Sequence, residues 1–155
     1  MKVKNKFFWL AAIISLMIDR ITKYLIVQKL AYLQSIPLLP GVFHITYITN
    51  PGAAWGLFKN EAWLRWLSLI ISLALILWAF LGPFFHTWEQ LGYGFILGGA
   101  MGNGIDRFVE GEVVDFLHFK LINFPIFNFA DVFINVGIVC LFIAYIRQET
   151  QDSSK

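Results

Sequence analysis

The chain has 155 residues, of which 58% are hydrophobic, 17% aromatic and only 14% charged. A soluble domain usually carries about 25% charged residues, so this composition excludes an ordinary hydrated surface and indicates extensive contact with lipid. The net charge of +2, with no basic stripe, argues against a nucleic-acid partner. A single cysteine, Cys140, excludes an internal disulfide, and no metal-ligand spacing accompanies it. We therefore expect neither a metal nor another cofactor.

Four apolar segments follow one another along the chain, at about 7–27, 62–82, 91–107 and 126–146. The second and the fourth would each be about 31 Å long as helices, which is enough to cross the hydrocarbon core. The first segment contains charged residues in its second half, and the third is short and rich in glycine. The pattern predicts an all-α membrane protein, specifically a four-transmembrane-helix bundle, with residues 1–155 forming a single membrane domain.

The two longer connections, 28–61 and 108–125, are expected to form a small extracytoplasmic β-rich subdomain. "VFHITYIT" in the first and "VVDFLHF" in the second are rich in β-branched and aromatic residues, as strands are. Trp55 and Phe58 lie close to Asn50 in the sequence. They could form an interfacial lid that excludes bulk water, or they could belong to an ordinary aromatic belt at the membrane surface.

The distribution of basic residues predicts the orientation in the membrane. Lys2, Lys4 and Lys6 precede the first apolar segment and place the N-terminus in the cytoplasm by the positive-inside rule. No small-x-small cleavage motif follows that segment, so we expect an uncleaved first helix. Four spans would return the C-terminus, with Arg147 and Lys155, to the same side. A multi-pass protein with both termini in the cytoplasm is therefore expected.

Polar residues that are costly inside a membrane occur at matching heights in three of the four segments. The first segment contributes Asp19 and Lys23, the third Asn103, Asp106 and Arg107, and the fourth Asn128, Asp131 and Asn135. At 1.5 Å per residue, Asp19 and Lys23 lie about 18 and 24 Å from the inner end of their helix, and the others lie at similar heights. The heights predict one polar layer in the outer part of the bilayer.

The members of this layer have structural as well as functional interpretations. Asp19 and Lys23, four residues apart, could form a structural ion pair, and Asn103 could serve as an interhelical hydrogen-bonding residue. Gly94, Gly98 and Gly102, at four-residue steps, should allow the third helix to approach a neighbour closely.

Two carboxylates remain without a basic neighbour of their own. Asp115 lies among apolar residues just after the third segment, and Asp131 enters the fourth segment from the same side. Two adjacent carboxylates share a proton, so that one can act on water as a general base while the other donates to a carbonyl. This pair could hydrolyse a peptide bond. A small proton-coupled transporter and a non-catalytic scaffold protein are the alternatives.

Five motifs in this order resemble those of the lipoprotein signal peptidase (signal peptidase II) family. They are "DRITK" (19–23), "NPGAAWG" (50–56), "GGAMGNGIDR" (98–107), "GEVVDF" (111–116) and "FNFAD" (127–131). The resemblance implies an aspartic endopeptidase of the bacterial cytoplasmic (inner) membrane, with its active site near the periplasmic face. Its substrate would be a lipid-modified prolipoprotein, cut immediately before the diacylglyceryl-modified cysteine. Membrane lipid and globomycin-type inhibitors are the other partners that the resemblance implies.

The resemblance also assigns roles to individual residues. Asp115 and Asp131 would be the catalytic pair, and Asp19 and Lys23 would support the site. The substrate pocket would be lined by Asn50, Gly52, Gly99, Asn103, Arg107, Asn128 and Ala130. Two positions depart from the usual family pattern, Arg20 in place of glutamine and Gly104 in place of a branched residue. The sequence does not indicate a partner for Arg20.

Overall fold

The computed structural model describes residues 4–52, 63–122 and 124–152. The elements in chain order are α1 (Lys6–Lys29), β1 (Ser35–Leu39), β2 (Phe43–Asn50), α2 (Trp63–Leu81), α3 (Thr87–Val109), β3 (Val113–Phe119) and α4 (Phe129–Asp152). The chain is thus mostly helical with one small sheet, as predicted. Trp55 and Phe58, the residues of the possible lid, lie outside the described residues.

Two helices begin three or four residues away from the predicted positions. The third helix begins at Thr87 instead of residue 91, because the Glu89 carboxylate accepts the His86 N–H at 2.7 Å and caps an earlier first turn. The fourth begins three residues later than predicted, because Phe127 is still paired with Leu117 of β3. The Leu117 N–H donates to the Phe127 carbonyl at 2.8 Å, and extended pairing and helix exclude each other there.

Helix α3 lies at the centre of the fold and packs against α1, α2 and α4. Its contact with α1 depends on the predicted glycine steps. A Cβ on Gly98 would lie 2.6 Å from the Ala12 carbonyl oxygen, and one on Gly94 would lie 2.8 Å from the Ala11 Cβ. The opposite side approaches α4 as closely, since a Cβ on Gly99 would lie 2.7 Å from Ile134. The small residues therefore set the distance between helices.

Substitution of Gly98 tests this packing. Gly98→Ala should lower the free energy of unfolding in detergent by about 1–3 kcal/mol, because the added methyl group overlaps the α1 backbone. Gly104→Ala is the matched control on the same helix, where the nearest atom to the new Cβ is Ser68 Cβ at 3.1 Å. That variant should lose much less stability than Gly98→Ala, because Ser68 needs to move by only a few tenths of an ångström. Thermal unfolding of both would measure the difference, and equal melting temperatures would contradict the close-packing account.

The three strands form one antiparallel sheet in the order β1-β2-β3. Ile48 of β2 lies opposite Asp115 of β3, just after a register irregularity that follows Ile45. The predicted strands correspond to β2 and β3, whereas β1 was not predicted. All five residues of β1 are exposed and Pro37 lies within it, so the segment lacks the alternating pattern of a half-buried strand. Proline is tolerated there because β1 is an edge strand.

The surface of the bundle is strongly apolar. Within the described residues, α2 and the Phe129–Thr150 part of α4 are long and apolar enough to cross a membrane. Only 17% and 22% of the residues in their most apolar windows are buried inside the protein. Core helices of soluble proteins bury such residues, so these faces are suited to contact with lipid. Helices α1 and α3 fall outside this criterion, since α1 contains Asp19, Arg20 and Lys23 and α3 is rich in glycine and polar residues.

Candidate active site

Three helices place their polar residues in one buried network, as the matching heights predicted. Lys23 of α1 is only 2% exposed, and its Nζ lies 2.9 Å from Asp19 Oδ2 and 2.7 Å from Asp106 Oδ2. The same ammonium group donates to Asn103 Oδ1 at 2.9 Å. The Asn103 amide in turn donates to Asp131 Oδ1 of α4 at 2.8 Å. A buried ammonium group therefore connects two carboxylates to the site.

Arg20 also belongs to this network. Its guanidinium forms an ion pair with Asp106, and the side chain is 40% exposed while Asp106 is 3% exposed. The pairing was not predicted, since 86 residues separate the two positions. Asp106 lies on the same face of α3 as Asn103. This shared face was the feature of the sequence that could have pointed to Asp106 as the partner of Arg20.

The start of α4 is fixed by a reciprocal capping box. Asn128 Oδ1 accepts the Asp131 N–H and Asp131 Oδ2 accepts the Asn128 N–H, both at 3.1 Å. The N–H of Ala130, which lies in the same first turn and has no partner within the helix, donates to Asp19 Oδ1 of α1 at 2.9 Å. Helix N-terminal amides need such partners when they are buried. These bonds set the orientation of the Asp131 carboxylate.

Asp115 reaches the same place from the sheet. It lies in β3 and is 3% exposed. Its Oδ1 accepts a hydrogen bond from Asn128 Nδ2 at 2.6 Å, and its Oδ2 accepts one from Asn50 Nδ2 at 3.1 Å. Asn128 is itself fully buried and also donates to Asn103 Oδ1 at 3.0 Å. A single asparagine therefore contacts both Asp115 and Asp131.

The protonation of Asp115 reflects this setting. Burial, and next the charge of Asp131, raise the pKa of Asp115 from 3.8 to about 7, against the opposing effect of the Asn50 and Asn128 donors. Asp115 is therefore close to half-protonated at neutral pH.

The stability of the protein should depend on this group. Because the folded-state pKa lies above the unfolded value, Asp115 favours folding most at low pH, and the contribution is lost as pH rises through about 7. Asp115→Asn should therefore raise the melting temperature in detergent more at about pH 8.5 than at about pH 5. A melting-temperature difference between wild type and variant that does not change with pH would contradict the raised pKa.

The two carboxylates open into a cavity of about 890 Å³. Six of the residues assigned by the resemblance line it, namely Asn50, Gly52, Asn103, Arg107, Asp115 and Asp131. Gly99, Asn128 and Ala130 are buried behind this wall, where they pack or form hydrogen bonds. Along α4 the wall is largely apolar, and it extends from Asp131 to Ile143. The cavity thus combines an acidic end with a long apolar part.

Arg107 joins the segment after β2 to the helices. Its Nη2 donates to the Gly52 carbonyl at 3.3 Å and its Nη1 donates to the Asn103 carbonyl at 3.4 Å. The Gly52 N–H donates to Asn50 Oδ1 at 3.0 Å. Asn50, whose amide contacts Asp115, is thus oriented from both ends.

The exposed apolar helices and the two carboxylates in a cavity together define a membrane protein with a polar site. The comparisons with known proteins specify it further. The family model for signal peptidase (SPase) II matches residues 11–147. A lipoprotein signal peptidase of Cyanothece sp. is 62% identical over 93% of this chain and 86% of its own, and one of Trichormus variabilis is 58% identical over 99% and 97%.

A solved structure of a bacterial membrane enzyme, obtained by the in meso method, has the same fold. It superposes with a TM-score of 0.85 and is 31% identical, over 94% of this chain and 91% of its own. The chain belongs to the signal peptidase II family, and it is a membrane peptidase.

Proposed function

We propose that the protein is an aspartic endopeptidase that removes the signal peptide from prolipoproteins, cutting before the diacylglyceryl-modified cysteine. The observation that carries the proposal is the contact of one buried residue, Asn128, with the carboxylates of both Asp115 and Asp131 at the edge of the cavity. Family membership supports the substrate class.

The proposed chemistry needs one proton shared by the two acids. Asp115, whose pKa is raised to about 7, holds the proton and donates it to the scissile carbonyl oxygen. Asp131, as the carboxylate, takes a proton from the attacking water. A group with a pKa near the operating pH is best suited to this donation. Asp131 then gives its proton to the leaving amine as the C–N bond breaks, and Asp115 takes back a proton from a hydroxyl of the tetrahedral intermediate as the new carboxyl group forms. The pair is thereby restored.

Asn50, Gly52, Asn103 and Arg107 are the proposed substrate contacts on the cavity wall, and Gly99, Asn128 and Ala130 hold the wall from behind. Asp19 and Lys23 are proposed to support the site through α4 and Asn103. A globomycin-type inhibitor would occupy the same cavity, in competition with the prolipoprotein.

The proposed setting is the bacterial cytoplasmic membrane, with four spans, both termini in the cytoplasm and the site near the periplasmic face. Helices α1 and α3 have 24 and 23 residues, and their length of about 35 Å is sufficient to span. Burial of Lys23 and Asp106 in ion pairs removes charge from contact with lipid. Lys4, at the other end of the bundle, donates to the Phe80 carbonyl at the end of α2.

The test is cleavage by the purified protein in lipid vesicles. A lipid-modified precursor should be cut before its modified cysteine, and the same precursor without the lipid should be cut poorly. Failure to cut the lipid-modified precursor would remove the proposal. A transporter would instead show substrate flux without cleavage, but the part of α4 that lines the cavity beyond Asn135, at Val136, Val139 and Ile143, is apolar.

A further inference from the structure

Asn135 is a polar residue in an apolar part of the cavity wall. It lies one turn after Asp131 on α4 and is exposed, and its wall neighbours on the helix are Val132, Val136 and Val139. Its Nδ2 donates to the Asp131 backbone carbonyl at 2.8 Å, which fixes the direction of the amide. Among the residues that the structure describes, its Oδ1 has no hydrogen-bond partner. This cavity-lining residue therefore offers an unused acceptor to a bound ligand.

A substrate in this cavity has a matching requirement. A signal peptide crosses the membrane as a helix, but a helix encloses its own peptide carbonyls, so the chain must unwind near the scissile bond. Each unwound N–H in an apolar environment costs several kcal/mol unless it finds an acceptor. On the proposed function, the residues before the cut come from deeper in the membrane, on the Asn135 side of Asp131.

The spacing indicates which peptide group meets Asn135. Asn135 follows Asp131 by four positions, which is about 6 Å along α4. An extended peptide covers about 3.3 Å per residue, so the position lies about two residues before the cut.

We propose that Asn135 is a substrate-positioning residue, whose Oδ1 accepts a backbone N–H of the unwound signal peptide about two residues before the scissile bond. Asn135 thereby sets where the substrate changes from helix to extended chain. The inference rests on the proposed function, and it adds a residue to the site without changing the role of the two acids.

Replacing the amide tests the proposal. Asn135→Leu keeps the size of the side chain but removes the acceptor, and it should lower kcat/KM for the lipid-modified precursor about tenfold, the usual effect of one lost hydrogen bond. Asn135→Gln, which keeps an amide, should recover part of that loss. Ile138→Leu is the matched control, on an exposed position of α4 outside the cavity wall. Melting temperatures should be unchanged, since Asn135 is exposed.

A second measurement separates contact with substrate from an indirect effect. Three precursors are prepared, each with an ester in place of one of the three peptide bonds before the cut. One ester should slow cleavage by wild type and have no further effect on Asn135→Leu, because the same hydrogen bond is already missing. The inference would be overturned if Asn135→Leu had the wild-type kcat/KM. It would also be overturned if, at each of the three bonds, the ester lowered kcat/KM by the same factor in Asn135→Leu as in wild type. If the Asn135 inference fails but the wild-type protein still cuts the precursor and Asp131→Asn does not, the proposed function is unaffected.

Discussion

Asp115→Asn and Asp131→Asn are each expected to reduce cleavage of a lipid-modified precursor by about 1,000-fold, within the range for loss of a general acid or base. An asparagine has the shape of the carboxyl group, but it neither takes a proton from water nor donates one as an acid. The fold should survive, because the amide oxygen of the new asparagine still accepts one of the hydrogen bonds that the carboxylate accepted. Single-turnover cleavage in vesicles measures the loss.

Glu110→Gln is the matched control for both variants. Glu110 is an exposed acidic residue that follows α3, five positions before Asp115, and it does not line the cavity. Its substitution should leave the cleavage rate at the wild-type value. Near wild-type cleavage by either aspartate variant, in protein that binds a globomycin-type inhibitor and unfolds cooperatively, would show that the two acids are not the catalytic pair.

Lys23→Met should have the largest effect on stability, lowering the free energy of unfolding by about 3–5 kcal/mol. The buried Lys23 ammonium contacts both Asp19 and Asp106, and its removal leaves two buried carboxylates without their shared cation. Met fills much of the same volume, so the loss reports charge rather than a cavity. Cleavage should fall as well, because Asn103 loses the donor that orients its amide toward Asp131.

Arg20→Gln provides the contrast on the same helix. Arg20 is 40% exposed, and Asp106 keeps its ion pair with Lys23 at 2.7 Å when the arginine is removed. A partly exposed pair is worth about 0–1 kcal/mol, so the melting temperature and the cleavage rate should change little. Chemical or thermal unfolding in one detergent measures both variants. A loss for Arg20→Gln equal to that for Lys23→Met would assign the stabilisation to the outer pair instead.

The network explains how acids remain oriented in a protein with a lipid-exposed surface. Asp19 accepts the Ala130 N–H at the start of α4, and Lys23 acts through Asn103 on Asp131. The ion pair and the helix cap therefore have a common consequence, since both hold the first turn of α4 against α1 and α3. The structural and the functional interpretation of Asp19 and Lys23 do not compete.

Much of the fold was predictable because lipid contact imposes a simple pattern. Long apolar runs specify helices such as α2, and the four-residue glycine steps specify the close contact of α3 with α1. Element ends were less predictable, because they depend on partners distant in sequence. The start of α4 depends on pairing of Phe127 with Leu117, and the edge strand β1 depends on pairing with β2.

The site, like the fold, has features that the sequence predicted and features that only the structure showed. Helical spacing and the cost of charge in a membrane identified Asp19, Lys23, Asn103 and Asp131 as one layer, and their residue types alone required partners. The sequence by itself thus determined a lipid-exposed helical protein with buried acids at matched heights. Only the tertiary structure decided that Asn128 contacts both Asp115 and Asp131, that Arg20 pairs with Asp106 and that Asn135 faces the cavity. The physical reason is that burial cost depends on one residue and its depth, whereas a hydrogen bond depends on the positions of two groups that the fold brings together.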